Sequence, residues 1–210
     1  MKSVFTAKVL LLAAFLISCT TATADTIKGK IEFVKKPPFT GILYIGDSGG
    51  DKKQPMIDQQ DKAFTTKIAV GIPNDIIKFS NSDTFDHNIY ANDAKQKVKF
   101  DVGLMTPGHS TKLKMVWPDD SLVRIGCKIH PKMRSYVANI NSRFYHAFQF
   151  TKKVKSYQFS IAKVPDDKSQ LTLIMPKYDK LTIELKKGES KTVEVKRNGK
   201  VKATLTLSRD

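Results

Sequence analysis

The chain has 210 residues, with 36 Lys and Arg against 20 Asp and Glu, and a formal net charge of +16. That length accommodates one medium domain or two small ones. The basic balance raises a nucleic-acid reading. It is set aside because the lysines are spread over nearly every segment, no nucleic-acid module is recognisable and the chain opens like an exported one. Basic charge on an exported protein instead suits acidic partner proteins or anionic surfaces. It equally suits strand edges kept soluble by lysine.

Met1-Lys2 and Lys8 supply positive charge ahead of the apolar run Val9 to Ile17, which is too short to span a bilayer. Ala22-Thr23-Ala24 offers a small-residue cleavage site, so residues 1–24 read as a secretory signal peptide. Leu16-Ile17-Ser18-Cys19 also fits a lipobox, which would leave the protein lipid-anchored through Cys19. Either route leads to the periplasm or the extracellular space, and no later segment approaches transmembrane length. Of the two cysteines, only Cys127 lies beyond this leader, so the expected mature chain forms no internal disulfide.

The elements that follow read as strands. Thr26 to Val34 alternates polar and apolar, Pro37-Pro38 interrupts, and Gly41 to Ile45 is a short apolar run. Gly46 to Pro55 is a loop rich in Gly, Asp and Lys. Ala63 to Val70, Ile76 to Phe79, Lys97 to Val102, Ser110 to Val116, Leu122 to Gly126 and Tyr136 to Ile140 are the next candidates, bounded by Pro, Gly or Asp turns. Short strands at this spacing predict a β-sandwich with Greek-key connections. Beyond about Asn141 five more period-two segments appear: Ser156 to Ile161, Gln170 to Met175, Leu181 to Leu185, Lys191 to Val195 and Val201 to Leu207. Asn198-Gly199 is a hairpin cue between the last two.

The chemistry concentrates in Cys127-Lys128-Ile129-His130-Pro131-Lys132-Met133. A thiol, an imidazole and a thioether recur there at every third residue, between two expected strands. A second imidazole, His87, precedes Asn88 about forty residues upstream. Two His, one Cys and a Met make a donor set suited to a single copper ion: thiolate and thioether are soft, and imidazole serves both copper oxidation states. A structural zinc site would show paired Cys or His ligands, and a single thiol excludes the Cys-rich kind. A lone Cys is often just a small buried hydrophobe, and His130 is close enough to activate a nucleophilic thiol. Neither alternative gives Met133 a part, and no cysteine-hydrolase signature surrounds Cys127. His109 and His146 read as surface or locally satisfied imidazoles, and Met105 and Met115 as core filler.

In these residues the sequence resembles the cupredoxins, above all the short-loop, amicyanin-like members with Cys-x2-His-Pro-x-Met, and the plastocyanin-like and methylamine-utilisation-type exported bacterial proteins. The upstream parallels are Asn81-Ser82-Asp83, His87-Asn88-Ile89-Tyr90, Phe100-Asp101-Val102-Gly103-Leu104 and Pro107-Gly108. The likeness runs from about residue 27 to 140. It implies a type 1 copper centre with His87, Cys127 and His130 as equatorial ligands and Met133 as the axial one. Asn88 would hydrogen-bond the two ligand segments together. Lys128 and Lys132 depart from a loop that is usually more apolar, which puts the family's apolar docking face in doubt.

The expected architecture is therefore all-β: residues 25–141 a cupredoxin Greek-key sandwich, residues 142–210 a second small β-sandwich-like module of transthyretin-like or carboxypeptidase-regulatory-like type. The expected function is single-electron transport between redox partners, with an acidic protein as partner. The alternative is a periplasmic protein that binds and delivers copper. Catalysis is not expected, since a multicopper oxidase needs His-x-His clusters and the chain has none.

Overall fold

The computed structural model describes residues 25–210, so the leader and the lipobox at Cys19 lie outside the described residues. These contain strands and turns only, and no helix long and apolar enough to cross a membrane. In chain order the strands are β1 (Asp25–Phe33), β2 (Gly41–Ile45), β3 (Met56–Gln60), β4 (Ala63–Phe64), β5 (Ala69–Gly71), β6 (Ile76–Asn81), β7 (His87–Asp93), β8 (Val98–Met105) and β9 (Ser110–Lys114). There follow β10 (Ser121–Gly126), β11 (Arg134–Asn139), β12 (Tyr145–Phe148), β13 (Ser156–Val164), β14 (Gln170–Ile174), β15 (Leu181–Glu184), β16 (Ser190–Arg197) and β17 (Lys200–Arg209).

They form four sheets, ordered β5-β11-β10-β7-β8, β4-β3-β6-β9, β13-β1-β17-β16 and β12-β2-β14-β15. The first two enclose one core, where Ile57, Phe79, Ile89, Val123, Ile125 and Val137 meet. The last two enclose another, built around Ile27, Ile31, Leu43, Phe150, Leu171 and Leu205. Alternating strands bury one face each, as in β1, where Ile27, Ile31 and Phe33 point inward.

The hydrogen bonding divides the chain differently from the boundary expected at residue 141. β1 pairs with β13 and β17, and β2 pairs with β12 and β14. The first two strands thus belong with the last six, and the sandwich holding the ligand residues is the contiguous stretch from β3 to β11. The cause is visible in β2, Gly-Ile-Leu-Tyr-Ile, which is buried at every position. Leu43 and Ile45 face the core under β1. Ile42 and Tyr44 face a third apolar cluster with Leu122, Tyr136, Ala138 and Ile140, on the outer face of β10 and β11. A strand covered on both sides reads as an unbroken apolar run, and that run does not say which neighbours cover it.

A second difference lies at 63–70, expected as one strand. β4 pairs with β3 in one sheet and β5 with β11 in the other, so the chain crosses between sheets here. Thr66 hydroxyl donates to the Ile68 carbonyl at 2.9 Å and Thr65 N–H to the Asp58 carbonyl at 3.0 Å, which turns the backbone out of the ladder. Hydroxyl-to-backbone bonds of this kind compete with strand pairing.

Candidate metal centre

β10 and β11 pair antiparallel, closing with Gly126 opposite Arg134, and residues 127–133 form the loop between them. Met133 N–H donates to the His130 carbonyl at 2.9 Å, which tightens the loop into a turn. Cys127 and Met133 are buried, His130 is half-buried, and Lys128, Ile129, Pro131 and Lys132 are exposed. The loop therefore turns its two sulfur side chains inward and brings His130 to the surface.

His87 opens β7 and is fully buried. It reaches the same place because β7 lies beside β10, with Tyr90 opposite Gly126. A Cβ at Gly126 would sit 3.0 Å from the Tyr90 ring, so the Tyr90 side chain lies closely over the glycine. On its other side β7 pairs with β8, and the register slips between Asn88 and Tyr90. Leu104 faces Asn88 and Asp101 faces Tyr90, so β8 carries one extra residue, and Gly103 takes a φ of +78° in the bulge. Asp101 Oδ1 accepts the Gly103 N–H at 2.9 Å and the Asn88 side-chain N–H at 2.8 Å. The Phe-Asp-x-Gly-Leu run is thus a bulge whose aspartate reaches back to Asn88.

Asn88 joins the two segments. Its Oδ1 accepts the Lys128 N–H at 2.6 Å, and its own N–H donates to Cys127 Sγ at 3.5 Å. His130 N–H approaches the same sulfur at 3.4 Å. Two backbone N–H groups, one from each ligand segment, thus hold the sulfur in place.

Donor atoms of His87, Cys127 and His130 all lie within 4.8 Å of one another. His87 Nδ1 is 3.0 Å from His130 Nδ1 and 3.9 Å from Cys127 Sγ. His87 Nε2 lies 2.9 Å from Asp83 Oδ2. A carboxylate accepts, so Nε2 carries the ring proton and Nδ1 keeps its lone pair for the cluster. Two imidazole nitrogens so close must share a proton or a cation. Burial, then the neighbouring His87 and Lys62, push His130 below the ordinary imidazole range, which favours the neutral ring and keeps a nitrogen lone pair available to a metal ion. A soft metal ion fits this donor set: one thiol and two imidazoles, largely shielded from water. His109 and His146 lie outside this cluster. His146 packs against the rings of Phe148 and Phe159 at 4.6 and 5.4 Å, while Met105 and Met115 are core residues.

Asp83 was part of a recurring sequence segment without a role of its own. The structure puts it on the loop between β6 and β7, against the buried edge of His87. Asn81 organises that loop: its Oδ1 accepts the Asp83 N–H at 3.0 Å, and its Nδ2 donates to the carbonyls of Phe85 and Met105, both at 2.8 Å. Three exposed apolar residues adjoin the ligand segments: Phe85 two residues before His87, Leu104 opposite Asn88, and Ile129 just before His130. Of the nearby lysines, Lys128 is ion-paired with Asp101, and Lys62 lies 3.7 Å above the Phe85 ring.

No protein-family model matches the sequence, and no curated protein matches it. Several solved structures are similar to part of it. A purple cupredoxin from Nitrosopumilus maritimus is 14% identical, with a TM-score of 0.35 over 40% of this chain and 97% of that one. An oxidised amicyanin mutant is 14% identical, with a TM-score of 0.37 over 52% of this chain and 97% of that one. A copper-containing nitrite reductase from Thermus scotoductus SA-01 is 16% identical, with a TM-score of 0.36 over 40% of this chain and 21% of that one.

Proposed function

We propose that this protein is an exported copper-binding electron carrier. The observation that supports this most is the buried convergence of two imidazole nitrogens and one thiol within 4.8 Å. His87, Cys127 and His130 would hold the ion, with Met133, buried on the same turn as His130, as the fourth and weaker donor. Bound there, copper would supply one-electron chemistry between its two oxidation states. The protein's part is to keep the donors still. His87 is fixed by a strand and by Asp83, and Cys127 by two N–H groups. The loop is fixed at both ends by β10 and β11. Ligands that do not move between oxidation states lower the reorganisation that accompanies electron transfer.

His130 is the half-buried donor, so it is the route by which a partner would exchange electrons with the centre. Phe85, Leu104 and Ile129, beside the ligand segments, would exclude water from the contact, and Lys62 and Lys132 would draw in an acidic redox partner. Lys128 contributes less, because Asp101 already neutralises it. The leader supports work outside the cytoplasm, in the periplasm or beyond, with Cys19 as a lipid attachment point in the lipobox reading.

The visible and EPR spectra of the Cu(II)-loaded protein, beside a Cys127→Ser variant, test this. An intense thiolate-to-copper band with narrow hyperfine splitting, absent from the variant, is the expected result. A weak ordinary Cu(II) spectrum, or one indifferent to Cys127, refutes the proposal.

A further inference from the structure

Among the groups around the cluster, one carboxylate faces a ligand ring directly. Asp83 is 7% exposed and His87 is fully buried, so water does not compete for the contact between them. Both carboxylate oxygens are engaged. Oδ2 takes the Lys62 N–H at 2.7 Å as well as the His87 contact, and Oδ1 takes the Thr84 N–H at 2.7 Å. The Lys62 N–H comes from the two-residue turn Asp61-Lys62, both at positive φ, which joins β3 to β4. Its partners are thus the Lys62 and Thr84 N–H groups and the His87 ring N–H, donors only, which is the setting of a carboxylate and not of a carboxylic acid. The Asn81 turn described above prevents it from swinging away.

A backbone carbonyl in this place would also accept the Nε2 proton. It would not add a full negative charge one imidazole ring away from the donor atoms. A carboxylate behind a ligand imidazole fixes its tautomer and raises its basicity. We propose that Asp83 is a positioning residue of the metal centre, holding His87 with Nε2 protonated and Nδ1 presented to the cluster while its fixed charge favours the more oxidised state of a bound ion. The second half of this statement rests on the electron-carrier reading above; the first does not.

Two measurements on the full chain separate the halves. In metal-free protein at neutral pH, long-range proton–nitrogen correlation spectra report which nitrogen of His87 is protonated. A single Nε2–H tautomer is expected in the parent. Asp83→Asn should keep it, because the amide oxygen still accepts that proton. In copper-loaded protein, a redox titration of Asp83→Asn should shift the equilibrium about tenfold toward Cu(I), a rise of about 59 mV for one electron. Glu194→Gln is the control, since it removes the same charge from an exposed position on β16 in the other sandwich, and should shift it less than about threefold. An Nδ1–H tautomer in the metal-free parent overturns the positioning role whatever metal binds. A potential unchanged within twofold in Asp83→Asn, or an equal rise in Glu194→Gln, overturns the charge role. Absence of a thiolate-to-copper band in the parent is a failure of the electron-carrier reading alone, and the tautomer still decides whether Asp83 positions the ring.

Discussion

Asn88→Ala is the substitution that isolates the link between the two ligand segments. It deletes the 2.6 Å bond from Lys128 N–H and the 2.8 Å bond to Asp101. Each bond contributes about 1 kcal/mol net, and a Lys128 N–H left without an acceptor adds about 1–3 kcal/mol. Asn88 is 6% exposed, so water does not simply take its place. The expected loss is about 3–5 kcal/mol in metal-free protein, or roughly 10 °C in Tm for a chain of this size. Urea unfolding at unchanged slope gives the difference. Asn88→Asp keeps an acceptor for Lys128 but sets two carboxylates together, so it should also be destabilised. Exchanging both residues, Asn88→Asp with Asp101→Asn, restores a donor–acceptor pair and should recover at least half of that loss. A cost below about 1 kcal/mol for Asn88→Ala, or a double exchange no more stable than Asn88→Asp alone, would show that the link carries no such weight.

Gly29 lies in β1 between β13 and β17, and a Cβ there would meet Phe159 at 2.4 Å and Leu207 at 2.9 Å. Gly29→Ala should therefore cost about 1–3 kcal/mol by overpacking, read by the same unfolding assay. Asp25 is buried against Arg209 at 3.1 Å and Lys187 at 2.8 Å, and Lys187, then Arg209, lowers its carboxyl against the opposing effect of burial. Its folded value lies below its unfolded one, so its stabilisation is complete above about pH 4 and is lost as pH falls toward the folded value. Asp25→Asn should be clearly less stable than the parent at pH 6, with the gap shrinking below pH 4. A gap that widens on acidification contradicts the pairing. Oxidation of the reduced copper protein by ferricyanide, a small anion, should slow with rising ionic strength and slow several-fold in Lys132→Glu. Rates indifferent to both would remove the lysines from the docking face.

The convergence of Cys127 and His130 was legible because the two stand three residues apart on one loop. His87 was harder, since β7 begins with His87, Asn88 and Ile89 all buried and so shows no alternation. β3 and β12 escaped for similar reasons, one carrying Asp58-Gln59-Gln60 and the other a half-buried face. Asp83 was visible as a residue but not as a partner of His87. Their contact depends on how the Asn81 turn folds, and that turn is stabilised by the carbonyls of Phe85 and Met105. The pairing of β1 and β2 with the end of the chain left no local trace, because alternation specifies a buried face and not the strand beside it.

That pairing sets an order of assembly. The sandwich from β3 to β11 closes through contacts within one contiguous stretch. β1 waits for β17, with Lys28 meeting Ser208 across almost the whole described chain. Loop closure over such a span costs only slightly more than over a shorter one, but it cannot occur until the last strand has emerged. Until then β2 has β12 at one edge and β10 and β11 against one face, but its other apolar face, Leu43 and Ile45, lacks the core that β17 completes. A chain that stops short of β14 would leave it as an open edge ready to pair with another copy. An intact ligand loop would then sit in a protein that aggregates, and a missing metal signal would report unfinished folding, not faulty coordination.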